Sequence, residues 1–122
     1  MKMAVCRKFK FDAAHFLPDY EGKCKNLHGH TWYLEVEVEG EVNKSSGFVI
    51  DFATLQEIVR PLLDVLDHHC LNDIMTNPTC ENLVDYIWFH LSDQMRGGTG
   101  GTVSLARLRL YESLDSFAEL KL

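Results

Sequence analysis

Residues 30–39 constrain the fold more than any other stretch, because apolar and polar side chains alternate there without a break. Trp32, Leu34, Val36 and Val38 fall on one parity; Tyr33, Glu35, Glu37 and Glu39 fall on the other. Successive side chains of a strand point to opposite faces, so this is a strand with one buried face and one charged face. A one-sided strand needs neighbours with matching inward faces and a second layer to cover it. Residues 5–15 supply such a neighbour: Val5, Phe9, Phe11, Ala13 and His15 share one parity, against Lys8, Lys10 and Asp12. His28 and His30 continue the apolar parity of the second strand backwards. If the two strands pair antiparallel, the first ends and the second begins at the same rim of the sheet, and His15, His28 and His30 converge there.

A His-x-His pair alone is a weak signal. Three neutral imidazoles with a position left open describe a catalytic zinc site rather than a structural one, and all-imidazole ligation favours zinc. Two other readings stand beside it: polar residues at a sheet rim that bind nothing, or a closed structural site with Cys24 as fourth ligand. Cys24 arrives on an irregular loop rich in proline, aspartate and glycine, four residues before His28. Beside a divalent cation its thiolate is favoured, which suits a base or nucleophile, and Lys23 and Lys25 flank it with positive charge.

The rest of the chain supplies the covering layer. After a polar turn over 40–47 and the apolar run Phe48, Val49 and Ile50, Asp51 is a good N-cap for a helix. That helix carries Leu55, Ile58, Val59, Leu62, Leu63 and Leu66 at helical spacing, with Pro61 expected to kink it or to remove one hydrogen bond. It gives out at Asp67, His68 and His69, and residues 70–78 read as a loop. Thr79 caps a second helix with the stripe Leu83, Val84, Ile87, Trp88, Leu91 and Met95, and the glycines of 97–101 are expected to end it. Residues 103–112 and 117–122 read as two strands around a turn at 113–116. The order β-β-α-α-β-β predicts an α+β fold: one domain over 1–122, a four-stranded antiparallel sheet and two helices on one face. Both sheet edges are left open, so pairing with neighbouring copies is expected.

Composition narrows the partners. At 122 residues and 46% hydrophobic, the chain is long enough for one genuine core. A net charge of −6 argues against nucleic acid or an anionic membrane as partner, and an anionic substrate needs a local basic cluster. The N-terminus has no apolar signal core and no run is long enough to span a bilayer, so a cytoplasmic location is expected. The four cysteines lack any Cys-x-x-Cys pair and read as free thiols of a reducing compartment.

Three further positions carry chemistry. Asp67 with His68 or His69 either complements the helix C-terminus or moves protons as a carboxylate–imidazole pair, and spacing does not choose between the two histidines. Glu112 ends the apolar face of Leu108 and Leu110, where a carboxylate needs a partner: the amidine-like edge of a heterocycle, or an arginine such as Arg107. Thr79 and Glu81 are most simply capping residues.

Together these residues resemble the 6-pyruvoyl-tetrahydropterin synthase / 6-carboxytetrahydropterin synthase family. The motifs are Phe11-Asp12-Ala13-Ala14-His15, Cys24-Lys25-Asn26-Leu27-His28-Gly29-His30, Gly47-Phe48-Val49-Ile50-Asp51-Phe52, residues 66–73, residues 77–82 and Tyr111-Glu112. The resemblance implies a tunnelling fold (T-fold), in which three subunits join their sheets into a barrel, two trimers stack into a homohexamer and active sites lie between subunits. It implies that His15, His28 and His30 hold Zn2+, that Cys24 is the catalytic base, and that Asp67 and His68, from a neighbouring subunit, relay protons. Glu112 would anchor the pterin ring, with Thr79, Cys80 and Glu81 lining its pocket. Within the family, the 6-pyruvoyl synthases space the cysteine further from His-Gly-His, and the 6-carboxy type uses three residues, as here. The expected activity is therefore a 6-carboxy-5,6,7,8-tetrahydropterin synthase. It converts 7,8-dihydroneopterin triphosphate to the carboxypterin, acetaldehyde and triphosphate in 7-deazaguanine (queuosine) synthesis. The alternative is the 6-pyruvoyl synthase. Ser113 after Glu112, where threonine is common, and the non-aromatic tail 117–122 depart from the pattern.

Overall fold

The computed structural model describes residues 1–122. Its regular elements are β1 (Lys2–His15), β2 (His28–Glu41), α1 (Phe52–Leu66), β3 (His69–Cys70), α2 (Cys80–Thr99), β4 (Val103–Ser113) and β5 (Ser116–Lys121). The strands form one sheet in the order β3-β1-β2-β4-β5. β1 and β2 pair antiparallel along their whole length, from Lys2 opposite Glu41 to His15 opposite His28. The alternating patterns of the two strands therefore meet in register, and Phe9, Phe11, Trp32, Leu34 and Val36 form one buried face. Leu55, Val59, Leu62 and Leu66 of α1 and Leu83, Ile87, Leu91 and Met95 of α2 complete the core over it.

The sheet has five strands rather than four. The added strand, β3, is two residues long and runs parallel to β1, with Ala13 opposite His69 and Ala14 opposite Cys70. Two residues carry no readable period; the pairing follows from where α1 stops. Asp67 ends that helix, its Oδ1 accepts from the Asp12 amide at 2.9 Å, and the His68 amide donates to the Asp12 carbonyl at 2.6 Å. The chain is thus tied to the outer edge of β1 before it turns away.

Both predicted caps are present. Asp51 accepts from the Ala53 amide at 2.8 Å, and the Thr79 hydroxyl accepts from the Asn82 amide at 3.1 Å. α1 continues through Pro61 to Leu66. The apolar run 48–50 lies outside regular structure, in a loop closed by Asn43 and Phe48. The glycine run does not end α2 where it begins: the helix passes through Gly97 and Gly98 and stops at Gly100, whose φ of 64° is left-handed. The reason is packing. A Cβ at Gly98 would lie 2.9 Å from Ile58 Cδ1, so the absent side chain lets α1 and α2 close on each other.

β4 holds apolar residues on two parities, Val103 and Leu105, then Leu108 and Leu110. A β-bulge reconciles them: Glu37 lies opposite Arg107 and Val38 opposite Leu105, which leaves Ala106 as the extra residue. A second irregularity falls between Tyr111 and Ser113, at Glu112. On the charged face, Arg107 reaches Glu37 at 3.2 Å and Glu35 at 3.4 Å, while Arg109 meets Glu119 at 2.8 Å. No helix is long and apolar enough to cross a membrane.

Candidate metal centre and active site

The paired ends of β1 and β2 bring His15, His28 and His30 together on the helix-covered side of the sheet. Their ring centroids form a near-equilateral triangle, with separations of 4.7, 5.1 and 4.8 Å. His15 is almost fully buried, and Trp32 packs its edge against both His15 (5.0 Å) and His30 (5.3 Å). Two of the rings are oriented from behind. His15 Nδ1 donates to the Pro78 carbonyl at 2.8 Å, and His28 Nδ1 donates to the Asn26 carbonyl at 2.7 Å. A carbonyl only accepts, so each of these rings carries its proton on Nδ1 and offers the Nε2 lone pair inward, as in metal sites. Nε2 of His15 and of His30 are buried with no hydrogen-bond partner. Buried lone pairs that converge without donors are what a cation relieves, so the residues fit the metal that the motifs imply. Burial lowers the His30 pKa, which keeps that ring in the ligand form.

Glu112 belongs to the same cluster. Its Oε1 lies 3.1 Å from His30 Nε2 and 3.5 Å from His15 Nε2. Of the two partners open to it in the sequence, arginine is not the one: Arg107 is held by Glu35, Glu37 and Glu119. His15, His28, His30 and Glu112 form one potential metal-binding group, and the Cys24 thiol stands outside it. Cys24 is half-buried in a short 3-10 turn, Lys23–Lys25, which is fixed where the Leu17 amide donates to the Cys24 carbonyl at 2.7 Å.

Asp67 and His68 form a second cluster with Asp12. Asp12 has the parity opposite to Ala13 and His15 and is exposed, so this cluster gathers at the outer edge of β1, away from the imidazole triangle. His68 Nδ1 pairs with Asp67 Oδ2 at 2.9 Å, whereas His69 Nδ1 donates to the Asp67 backbone carbonyl at 2.7 Å. That separates two histidines which spacing left equivalent. The hydrogen bond that His68 donates to Asp67 raises the His68 pKa, and the Asp12 amide, then His68, lower that of Asp67. His68 has a φ of 58°, a left-handed conformation uncommon for a residue with a side chain and often found at functional positions. Asp12 Oδ1 also accepts from the Thr31 hydroxyl at 2.5 Å. The sequence reading gave Asp12 and Thr31 no role, although Asp12 stands inside the motif that ends in His15.

The predicted pocket residues are neighbours of Glu112. Cys80, Glu81, Glu112, Phe117 and Glu119 line a cleft of about 430 Å³. Thr79 acts as the cap. Burial pushes the Cys80 thiol up to about 11, and it donates to the Leu110 carbonyl at 3.1 Å, so it shapes the cleft as a neutral group.

Comparison with known proteins identifies the fold and the family. The solved structure of Caenorhabditis elegans 6-pyruvoyl tetrahydropterin synthase superposes with a TM-score of 0.87 at 27% identity, covering 100% of this chain and 96% of that one. The fold is the tunnelling fold of those enzymes. The family model described as 6-pyruvoyl tetrahydropterin synthase matches residues 4–122, and the chain belongs to that family of enzymes. A Pyrococcus furiosus protein named dihydroneopterin monophosphate aldolase is 42% identical, over 99% of each chain. A Synechocystis protein named 6-carboxy-5,6,7,8-tetrahydropterin synthase is 38% identical, over 93% of this chain and 89% of its own. The Haemophilus influenzae protein of that name is 31% identical, over 94% and 96%.

Proposed function

We propose that this chain is a zinc-dependent lyase that cleaves the side chain of a dihydroneopterin phosphate. The carrying observation is the convergence of three imidazoles with two orphaned, buried Nε2 atoms beside a carboxylate-lined cleft. His15, His28 and His30 would hold the zinc. Bound there, zinc supplies Lewis acidity toward the hydroxyl oxygens of the side chain. Glu112 accepts two N–H bonds from the amidine-like edge of the ring and so fixes the register of the side chain. The Cys24 thiolate removes the carbon-bound proton next to the ring, and His68, held charged by Asp67, returns protons to the departing fragment.

The Asp67–His68 pair lies at the outer edge of β1, apart from the imidazoles. This supports the view that it serves the site of a neighbouring copy. The outer edge of β5, and that of β1 beyond the two residues paired with β3, have no further strand beside them and support assembly edge to edge, as a trimer within a homohexamer.

The three-residue spacing between Cys24 and His28 favours the 6-carboxy-5,6,7,8-tetrahydropterin synthase reaction. In it dihydroneopterin triphosphate and water give the carboxypterin, acetaldehyde and triphosphate, with Lys23 and Lys25 meeting the phosphates. A second reading is favoured by the name of the 42% identical relative. It is a retro-aldol cleavage of the monophosphate to 6-hydroxymethyl-7,8-dihydropterin and glycolaldehyde phosphate. A chain of net charge −6 with only two lysines beside Cys24 suits a monophosphate better than a triphosphate. Incubating zinc-loaded protein with each ester in turn and identifying the products decides. Acetaldehyde with a carboxypterin supports the first reading and a hydroxymethyl pterin the second. A pyruvoyl pterin, or no turnover of either ester, overturns side-chain cleavage.

A further inference from the structure

Glu112 is placed in the function above as a ring anchor, yet its carboxylate lies on the imidazoles. We infer that in the substrate-free protein Glu112 is itself the fourth ligand of the metal, and that ring recognition draws it off and opens the site. The inference rests on the metal reading given above.

The distances are those of a coordination vertex. Ligands at about 2.0–2.2 Å from a tetrahedral zinc stand about 3.3–3.5 Å from one another. Glu112 Oε1 lies 3.1 and 3.5 Å from two Nε2 atoms. Neither Nε2 has a well-aligned hydrogen-bond partner, and the His15 contact at 3.5 Å has no proton to share. His15 Nε2 is unprotonated, because its Nδ1 donates to Pro78, and a carboxylate oxygen facing that lone pair is repulsive unless a cation sits between them.

The backbone allows the exchange. Glu112 occupies the irregularity between the Tyr111–Phe117 and Ser113–Ser116 pairs, and the β2–β4 ladder ends one residue earlier, at Tyr33 opposite Tyr111. With no paired partner on either side, the residue can turn without breaking a ladder, and bulges recur where a side chain must be re-aimed. Glu112 also lines the cleft with Cys80 and Phe117, so one carboxylate borders both the metal group and the ring pocket. A closed resting site follows: a side-chain hydroxyl gains access only after a ring has claimed the carboxylate. Discrimination against molecules without the amidine edge is thereby built into access to the metal.

The test uses the full chain loaded with cobalt(II) or zinc, and two readouts independent of turnover. In wild-type protein loaded with cobalt(II), water-proton relaxation should show no exchanging water on the metal, and saturating 6-hydroxymethylpterin should change the visible spectrum of the cobalt. Glu112→Gln should gain an exchanging water and bind zinc about 10- to 100-fold more weakly in chelator competition. A wild-type protein that binds metal but already carries an exchanging water overturns the inference and leaves the three-histidine site standing. So does equal zinc affinity in wild type and Glu112→Gln. Failure of wild-type protein to bind either metal removes the metal reading itself. The relaxation measurement on wild type stands whether or not the variant folds.

Discussion

Two clusters of titratable groups lie near the same end of the sheet, and their surroundings push one histidine in each, His30 and His68, in opposite directions. His15 and His30 sit against Trp32 under the helices with His28 beside them, and burial there favours the neutral ring of His30. Asp67 and His68 sit in water at the outer edge of β1, where a short hydrogen bond dominates and favours an ion pair. One cluster is built to take a cation, and the other to hold a proton. The difference teaches that strand parity sorts the imidazoles: the helix-facing parity gathers three of them, and the outer edge pairs one with a carboxylate.

The sharpest way to break the contrast is to remove a ligand. His28→Ala should lose bound zinc and activity together, seen as metal content near zero by elemental analysis. Full zinc content in that variant would sink the ligand set. Cys24→Ala should keep its zinc, because the thiol stands outside the ligand group, yet lose about 10²- to 10⁴-fold in turnover. Near-normal turnover would remove Cys24 from the reaction.

The exposed cluster is tested by pH. The His68 pKa is raised above its ordinary 6.5, so its pairing is present in full below that value and is lost as pH climbs through the raised one. The Asp67 pKa is lowered below 3.8, so its share is present above 3.8 and is lost as pH falls through the lowered value. Asp67→Asn should therefore move the alkaline limb of the turnover profile to lower pH and leave zinc content unchanged. An unmoved limb would detach His68 from proton transfer.

Smaller effects should follow where the two regions are joined. Asn72 accepts from the Phe16 amide at 2.9 Å and donates to the Phe16 carbonyl at 2.8 Å, tying the segment after β3 to the residue next to His15. Asn72→Ala should cost about 1–3 kcal/mol by leaving those groups unmet, measured by denaturant unfolding. Thr79→Ala, which removes only a cap, should cost about 1 kcal/mol in the same assay.

The imidazole triangle was legible because parity survives from sequence to structure when two strands pair without a bulge, as β1 and β2 do. The same rule placed Glu112 on the inner face, but its contact with His15 and His30 depends on a local irregularity that parity does not report. β3 was illegible for another reason: its pairing is set by the end of α1 and the Asp67–Asp12 bond, both distant in sequence. The length of α2 was misread because glycine is a poor helix former in isolation, whereas Gly98 is placed for its contact with Ile58. His68 was separated from His69 only by atoms, since both sit at the same helix end.

Trp32 carries a consequence of its own. Its indole is fully buried, donates to the Ala13 carbonyl at 3.2 Å and touches two of the three imidazoles. The only other tryptophan, Trp88, is half-buried on α2 and serves as an internal reference. The molecule thus contains its own fluorophore for occupancy, whose emission registers what the adjacent rings hold without any added dye.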